Sequence, residues 1–516
     1  MTFDSHLTFI QTNATRFPER LAFKLPIFEV DDGTPHQRIR GWTDITYKEF
    51  HRDIIRSSGY WLRTLPCPRR SVIGLWMSGM LYRDFVHLFG LINAGFVPQV
   101  LNLTIRSVEI AIEYFKRSNI AHILHAPTAP VDSLKNDFHV HELIDIGRIS
   151  PNHDNEDLYF NSLSSKEENG DDMVLIFHTS GSTSGKPKPV PHTRKWLDGH
   201  SRKSIPGIPD GKEIVSLQQF NNGACIVLMP WIDFTGAEFV QITAECKANC
   251  LYQLTPVLGK LLREAMANDE LLAAFRSLKL LPYGGAAFGE NERRWAVEHD
   301  IPIVNLYGST EMGITMKSKH DPTILHPLEA PGLEYEFINP SAGTDTETKD
   351  PKNKLVELII PPSSLDCPYP SLCDPDGRFH TRDLFEEVEP NGFTYRGRLD
   401  DIIMMSKGQK CDTLFVESQV MLFCKDLVSI CVVVGYGKPS PVLLAEPLDG
   451  TMNKILLKEK VGKKAELINK DGFPHEQIRR SDVLILPSGS LPRTPKGNIN
   501  RSAAERLFKQ DIDALF

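Results

Sequence analysis

The sequence holds no C-x-x-C pair, no apolar run of the ~18 residues a membrane helix needs, and no long basic tract. Each absence excludes a class of protein. Nine cysteines are scattered along the chain, with Cys246/Cys250 and Cys367/Cys373 the nearest spacings. An odd count without zinc-ligand spacing reads as reduced thiols, not as a metal cage or a secreted disulfide framework. The first twenty residues carry Asp4, Arg16, Glu19 and Arg20 around no apolar core, so no signal peptide is readable and a cytoplasmic protein is expected. A formal charge of −8, from 58 basic and 66 acidic residues, argues against nucleic acid or an anionic membrane as partner. There is no internal repeat and no low-complexity tract.

What is present is length and alternation. At 516 residues, 41% of them apolar, the chain suits about three domains, or one large domain and a smaller one. Tyr47 to Leu65 reads as an amphipathic helix, Ser71 to Trp76 as a short buried strand, and Leu91 to Pro98 as a helix end followed by a strand. Such alternation predicts an α/β layer architecture with parallel strands. Two short apolar runs, Leu278 to Leu281 and Ile301 to Leu306, each stop at a glycine-containing turn, Pro282 to Ala286 and Tyr307 to Glu311. That arrangement would put both turns at the carboxyl edge of one sheet, where open α/β sheets bind ligands. Residues 318 to 376 read as a β-rich subregion with long turns around Leu355 to Ile360. Strand candidates at Ile402 to Met405 and Ile430 to Gly435 predict a small α+β domain from about residue 400. The expected division is therefore 1–399 and 400–516.

Thr179 to Lys188 concentrates the chemistry. Five hydroxyl side chains, freeing glycines and two lysines follow the apolar run Met173 to Phe177. Inward-turned backbone N–H groups, hydroxyls and ammonium groups are what a polyphosphate needs. The spacing is not that of a Walker loop. Three residues separate Gly181 from Gly185 where that loop has four, and Pro187 stands where Ser or Thr would hold magnesium.

Five stretches in this order resemble the adenylate-forming superfamily of acyl-CoA synthetases, luciferases and peptide-synthetase adenylation domains. They are Thr179 to Lys188, Tyr307-Gly308-Ser309-Thr310-Glu311, Phe379-His380-Thr381-Arg382-Asp383, Gly397-Arg398-Leu399-Asp400 and Pro492 to Gly497. Similarity in Trp42 to Tyr47 and Asn93-Ala94-Gly95 extends the match over nearly the whole chain. The resemblance implies a large N-terminal adenylate-forming domain and a small mobile α+β C-terminal domain. A carboxylate would attack the α-phosphate of ATP to give an acyl-adenylate and pyrophosphate, chemistry that needs fixed positive charge and oriented donors.

Residue roles follow from the same match. Thr179, Ser180, Gly181, Ser182, Thr183 and Lys188 would hold the β- and γ-phosphates. Thr310 would meet the α-phosphate and Glu311 would ligate Mg2+. Tyr307 and Gly308 would lie against adenine, with Gly284, Gly285 and Ala286 on its other face. Asp383 would accept from the ribose hydroxyls with Arg398 nearby, although a surface ion pair is the plainer reading of those two residues. Lys496, in a Pro/Gly-rich turn, is the expected catalytic lysine, placed to neutralise charge as the bond forms. Asp400 falls where the family has its hinge.

Three departures stand out. The phosphate loop carries one residue more than the usual pattern, most simply Ser184. Arg382 replaces the usual glycine. Ser406-Lys407-Gly408-Gln409-Lys410 resembles the form found in fungal carboxylate reductases built like synthetase modules, which implies a phosphopantetheine thiol on a carrier domain, in cis or in trans, as acyl acceptor. A stand-alone acyl-CoA ligase remains the alternative, and a silent nucleotide-binding module is the competing class. For the acid, the informative stretch is Pro230 to Gly236, where Gly284 and Gly308 would also border the substrate. Acyl-CoA ligases typically have His at Asp233, whereas peptide synthetases place an Asp there for an α-ammonium. A buried carboxylate favours a cationic partner, and Trp231 and Phe234 can add cation–π contact, so an amino acid or betaine is one expectation. The other is that Asp233 caps the next helix and the aromatics are core.

Overall fold

A computed structural model describes residues 6–29, 38–105, 107–150, 169–179, 187–203, 220, 223–231, 233–285, 288–340, 355–399, 402–406, 410–469, 476–493 and 499–516. Its first large sheet runs, in spatial order, His139–Glu142, His122–His125, Val72–Met77, Val97–Asn102, Met173–Thr179 and Lys188–Thr193. The first five strands are parallel and the last is antiparallel. Period-two alternation in Val72–Met77 explains why helices pack on both faces. Ile73, Leu75 and Met77 meet Trp61, Leu88 and Leu91, whereas Trp76 joins Phe115 and Leu134. Trp61 comes from the helix expected at its position, Tyr47–Thr64. A reciprocal Thr46/Glu49 capping box starts that helix, and a Ser or Thr cap is worth about 1 kcal/mol.

The second large sheet has nine strands. Gln253–Leu254, Leu281–Gly284 and Ile303–Ser309 are parallel. Gly313–Ser318, Leu325–Pro327, Gly392–Arg398, Phe379–Glu389, Leu355–Ile360 and Glu336–Ile338 follow in antiparallel order. The two short apolar runs are thus adjacent parallel strands, and the β-rich subregion completes their sheet. Their ends need correction. Pro282, Tyr283 and Gly284 lie within the first strand, and Tyr307, Gly308 and Ser309 within the second. The physical reason is pairing: Gly284 stands opposite Leu306, and Gly313–Ser318 folds back on Tyr307 to Ser309. The turn is residues 310–312.

From Ile402 onward the described strands pair only with one another. Val428–Val434 and Val442–Pro447 are antiparallel, Val483–Ile485 joins in parallel, and Ile402–Met404 forms a hairpin with Lys410–Asp412. Helices Thr413–Phe423 and Lys454–Ile468 bury Val416, Val420, Leu457 and Val461 against Val433 and Leu443.

Candidate active site

The wall expected to meet the nucleoside is set by sheet register. Asp383 and Arg398 are directly opposed in the ladder between Phe379–Glu389 and Gly392–Arg398, and their charged atoms stand 3.8 Å apart. Tyr307 donates its hydroxyl to Asp383 Oδ2, while Tyr395 donates to Oδ1 at 3.3 Å. The Asp383 N–H donates to Thr381 Oγ1 at 3.1 Å, and Thr381 in turn donates to the Leu358 carbonyl at 2.8 Å. Burial first, and the Asp383 charge second, hold the Tyr307 phenol far above its ordinary pKa, so it remains a donor. The ion pair that the plainer reading expected is therefore present, but within a convergent cluster of polar groups.

Tyr307 and Asp383 belong to strands four positions apart in the sheet order. At ~4.8 Å per strand a flat sheet would separate them by ~19 Å. Their hydrogen bond requires the sheet to curl.

Two glycines border this wall where a side chain has no room. A Cβ on Gly284 would meet the Leu306 carbonyl oxygen at 2.6 Å, and one on Gly308 would meet the Gly313 carbonyl oxygen at 2.2 Å. Both obstacles are backbone, which cannot swing aside. Gly285 follows with a left-handed φ of +83°. Ala286 lies outside the described residues.

Of the residues expected at the phosphates, Thr179 and Lys188 are cross-strand partners at the base of a hairpin, half-buried and exposed respectively. Ser180, Gly181, Ser182 and Thr183 lie outside the described residues, as does Ser184. Thr310 and Glu311 occupy the turn after Ile303–Ser309. Trp196 Nε1 donates to the Glu311 carbonyl at 3.0 Å, and Lys203 Nζ donates to the Met312 carbonyl at 2.8 Å. Among the described residues no group of three or more His, Cys, Asp or Glu is arranged to hold a metal ion. The single Glu311 carboxylate suits Mg2+ shared with phosphate oxygens and water, not a protein-only cage. Lys496 and Asp400 also lie outside the described residues; the flanks of Lys496, Arg493 and Ile499, form an antiparallel bridge.

The segment expected to meet the acid departs from that expectation. The Asp233 side chain is 64% exposed and paired with Lys260 at 3.1 Å, so the premise of a buried carboxylate is corrected. An exposed pair of this kind costs little desolvation and contributes about 0–1 kcal/mol. Nor does Asp233 cap the next helix. Gly236–Cys246 is capped by Thr235 in a reciprocal box with Glu238. Phe234 is buried in a core with Phe239, Leu258 and Phe275, and Trp231 packs against Phe28 with ring centroids 4.9 Å apart. Leu228 and Pro230, just upstream, border a cavity of about 560 Å3 that also carries Arg52, Arg56, Arg83, Asp53 and Asp145.

Sequence reasoning missed Tyr395, Trp196 and Lys203, none of which belongs to a quoted motif. The signal for Arg382 was present. It takes a left-handed φ of +61°, the conformation its usual glycine would adopt freely, and is held there by Glu357 on its N–H at 2.9 Å and Asp374 on its guanidinium at 2.8 Å.

Residues 10–197 match the family model of the AMP-binding enzymes, and residues 400–516 match that of the AMP-binding enzyme C-terminal domain. Together these stretches make up more than half of the chain, which belongs to the adenylate-forming, AMP-binding enzyme superfamily. Among characterised relatives it is similar to the AMP-binding domain-containing enzyme iboA of Amanita muscaria, 28% identical over 95% of this chain and 99% of that protein. It is also 24% identical to a carboxylic acid reductase of Neurospora crassa, over 70% of this chain but only 36% of the reductase. The fold matches ATP-bound MatB from Rhodopseudomonas palustris with a TM-score of 0.73, at 15% identity, over 99% of this chain and 100% of that one. No described helix is long and apolar enough to cross a membrane.

Proposed function

We propose that the chain uses ATP to activate a carboxylic acid and passes the acyl group to a phosphopantetheine thiol of a carrier domain. The observation that carries this reading is the cluster of Tyr307, Asp383 and Arg398 beside two glycines closed to any side chain, in the same sheet as the Thr310–Glu311 turn. Asp383, an acceptor only when ionised, binds the two hydroxyls of the ribose while Arg398 balances its charge. The adenine ring would lie beside Tyr307, as the family match implies, with the Gly284 and Gly308 backbones bordering it.

A carboxylate oxygen of the acid then bonds to the α-phosphorus as the bond to pyrophosphate breaks. Thr179, Ser180, Gly181, Ser182, Thr183 and Lys188 hold the departing pyrophosphate, Thr310 orients the α-phosphate, and Lys496 offsets the charge that gathers there. Glu311 would hold Mg2+, which would supply positive charge against the phosphates. In the second step the thiol attacks the acyl carbonyl, AMP leaves and the thiol proton is released. Domain 400–516, turning about Asp400, brings Lys496 in for the first step and withdraws it for the second.

The carrier as acceptor is supported by the resemblance of residues 406–410 to the reductase form and by similarity to a carboxylic acid reductase. A stand-alone acyl-CoA ligase is the second reading, and the acceptor assay below separates it from the first. With Asp233 exposed and paired, the case for an amino acid or betaine substrate loses its physical basis.

The test is acid-dependent exchange of labelled pyrophosphate into ATP across a broad acid panel, with Lys496→Ala as control. Exchange that falls at least a hundredfold in the variant supports adenylation. ATP binding without exchange for any acid refutes it in favour of a silent module. Acyl loading of a phosphopantetheinylated carrier against free CoA then separates the two acceptors.

A further inference from the structure

Lys203 and Asp366 form an ion pair that the activation chemistry does not itself require. Nζ and Oδ2 are 2.8 Å apart and both side chains are 0% exposed. Two charges taken wholly out of water are costly unless their geometry is fixed and their remaining bonds are satisfied. Here both groups have further partners. Asp366 also accepts from the Tyr335 hydroxyl at 2.8 Å and from the Ser364 hydroxyl at 2.5 Å. Lys203 spends a second bond, at 2.8 Å, on the carbonyl of Met312, the residue directly after Glu311.

The place of Lys203 in the chain gives that bond its meaning. Strand Lys188–Thr193 begins where the phosphate loop ends, helix Arg194–Arg202 follows without a break, and Lys203 caps it. Sixteen residues, 188–203, therefore run from the pyrophosphate-holding hairpin to the Thr310–Glu311 turn. Two side chains from this piece grip successive carbonyls of the turn: Trp196 holds Glu311 at 3.0 Å and Lys203 holds Met312. The loop carrying Asp366 closes on the same helix. A Cβ on Gly199 would meet the Leu365 backbone carbon at 3.0 Å.

We propose that Lys203 and Asp366 are positioning residues that fix the Thr310–Glu311 turn relative to the strand Lys188–Thr193. The inference rests on the adenylation reading for its purpose and on the hydrogen bonds alone for its geometry. Asp366 holds the ammonium in place, and the ammonium holds the turn. The Glu311 carboxylate and the Thr310 hydroxyl are then presented at a set distance from the hairpin that clamps the leaving pyrophosphate. A displacement of about 1 Å far from the chemistry is enough to cost about a hundredfold in rate.

The test uses the full chain with Lys203→Met and Asp366→Asn combined, which keeps the buried volume and leaves neither charge unpaired. Hydrogen exchange of the peptide spanning residues 309–313 is expected to quicken at least tenfold, while strand Val72–Met77 keeps its protection. In pyrophosphate exchange the turnover is expected to fall tenfold to a hundredfold and half-saturation by Mg2+ to move upward, with the KM for the acid unchanged. Lys203→Arg with Asp366 intact, which preserves the charge pair, is expected to recover part of that turnover. A variant that merely melts earlier, with unchanged protection at 309–313, overturns the proposal. So does faster hydrogen exchange accompanied by unaltered turnover and Mg2+ dependence. If the wild-type chain exchanges pyrophosphate with no acid, the adenylation reading fails instead, and protection at 309–313 still decides whether the pair holds the turn.

Discussion

The wall proposed to meet the nucleoside and the segment expected to meet the acid are built by opposite means. Asp383 and Arg398 face each other because an antiparallel ladder sets them there, and Tyr307 reaches them from another strand of the same sheet. Trp231, Asp233 and Phe234 come from the irregular stretch between strand Ile226–Val227 and helix Gly236–Cys246, and they part company: one packs on Phe28, one pairs with Lys260 near solvent, one enters the core. A ladder makes residues distant in sequence converge by register. A loop leaves each side chain to its local packing.

The comparison breaks most sharply at Gly308. Gly308→Val places a side chain where the Gly313 carbonyl stands 2.2 Å from the Cβ position. ATP affinity measured by calorimetry is expected to fall more than a hundredfold, with a lower melting temperature. If the affinity is unchanged, the wall does not bind the nucleotide. Next in size is Asp383→Ala. Hydrogen bonds to a charged group are worth about 1.5–3 kcal/mol, so the KM for ATP is expected to rise about tenfold to a hundredfold while the KM for the acid holds.

Acid sharpens the contrast between the two domains. Burial holds His6 and His87 down to about 4 and His192 to about 3, and it lowers His200 well below the ordinary value. These folded-state values lie below that of an unfolded histidine, ~6.5. The stability they contribute is thus fully present above pH ~6.5 and is lost as pH falls toward 4. The only histidine after residue 400 is His475. Denaturant titrations at pH 7 and pH 5 are expected to show the region before residue 400 losing stability while the region after it changes little.

Arg382→Gly removes a left-handed side chain and is expected to relieve about 1–2 kcal/mol of backbone strain, offset by loss of the Asp374 pair. A net rise of about 1 kcal/mol in unfolding free energy would support this, and a loss of that size would show that the pair outweighs the strain. Asp233→Asn is the smallest change. Turnover with the best acid is expected to shift less than twofold and stability by under about 1 kcal/mol, as for an exposed pair. A tenfold loss would return Asp233 to the acid site.

Much of the fold was legible because it is written in short-range pattern. Short continuous apolar runs gave the strands near 72, 355, 402 and 430, and the helix from Tyr47 carries its own cap. The family motifs were legible because each is a contiguous string. Strand ends were not. Whether Tyr307 to Ser309 extends or turns depends on Gly313–Ser318 arriving to pair with it, and no local propensity encodes that arrival. The environment of Asp233 was likewise invisible, since its partner Lys260 is 27 residues away on helix Thr255–Ala265.

By itself the sequence determined the superfamily and the two-part architecture, because these reside in composition, periodicity and motif order. Only the tertiary structure decided that Tyr307 meets Asp383 through a curled sheet and that Asp233 faces solvent. It also decided that Lys203 and Asp366, 163 positions apart, close over one turn. Such contacts are fixed by long-range packing, where the gain from burying and pairing groups must exceed the entropy of bringing distant chain together.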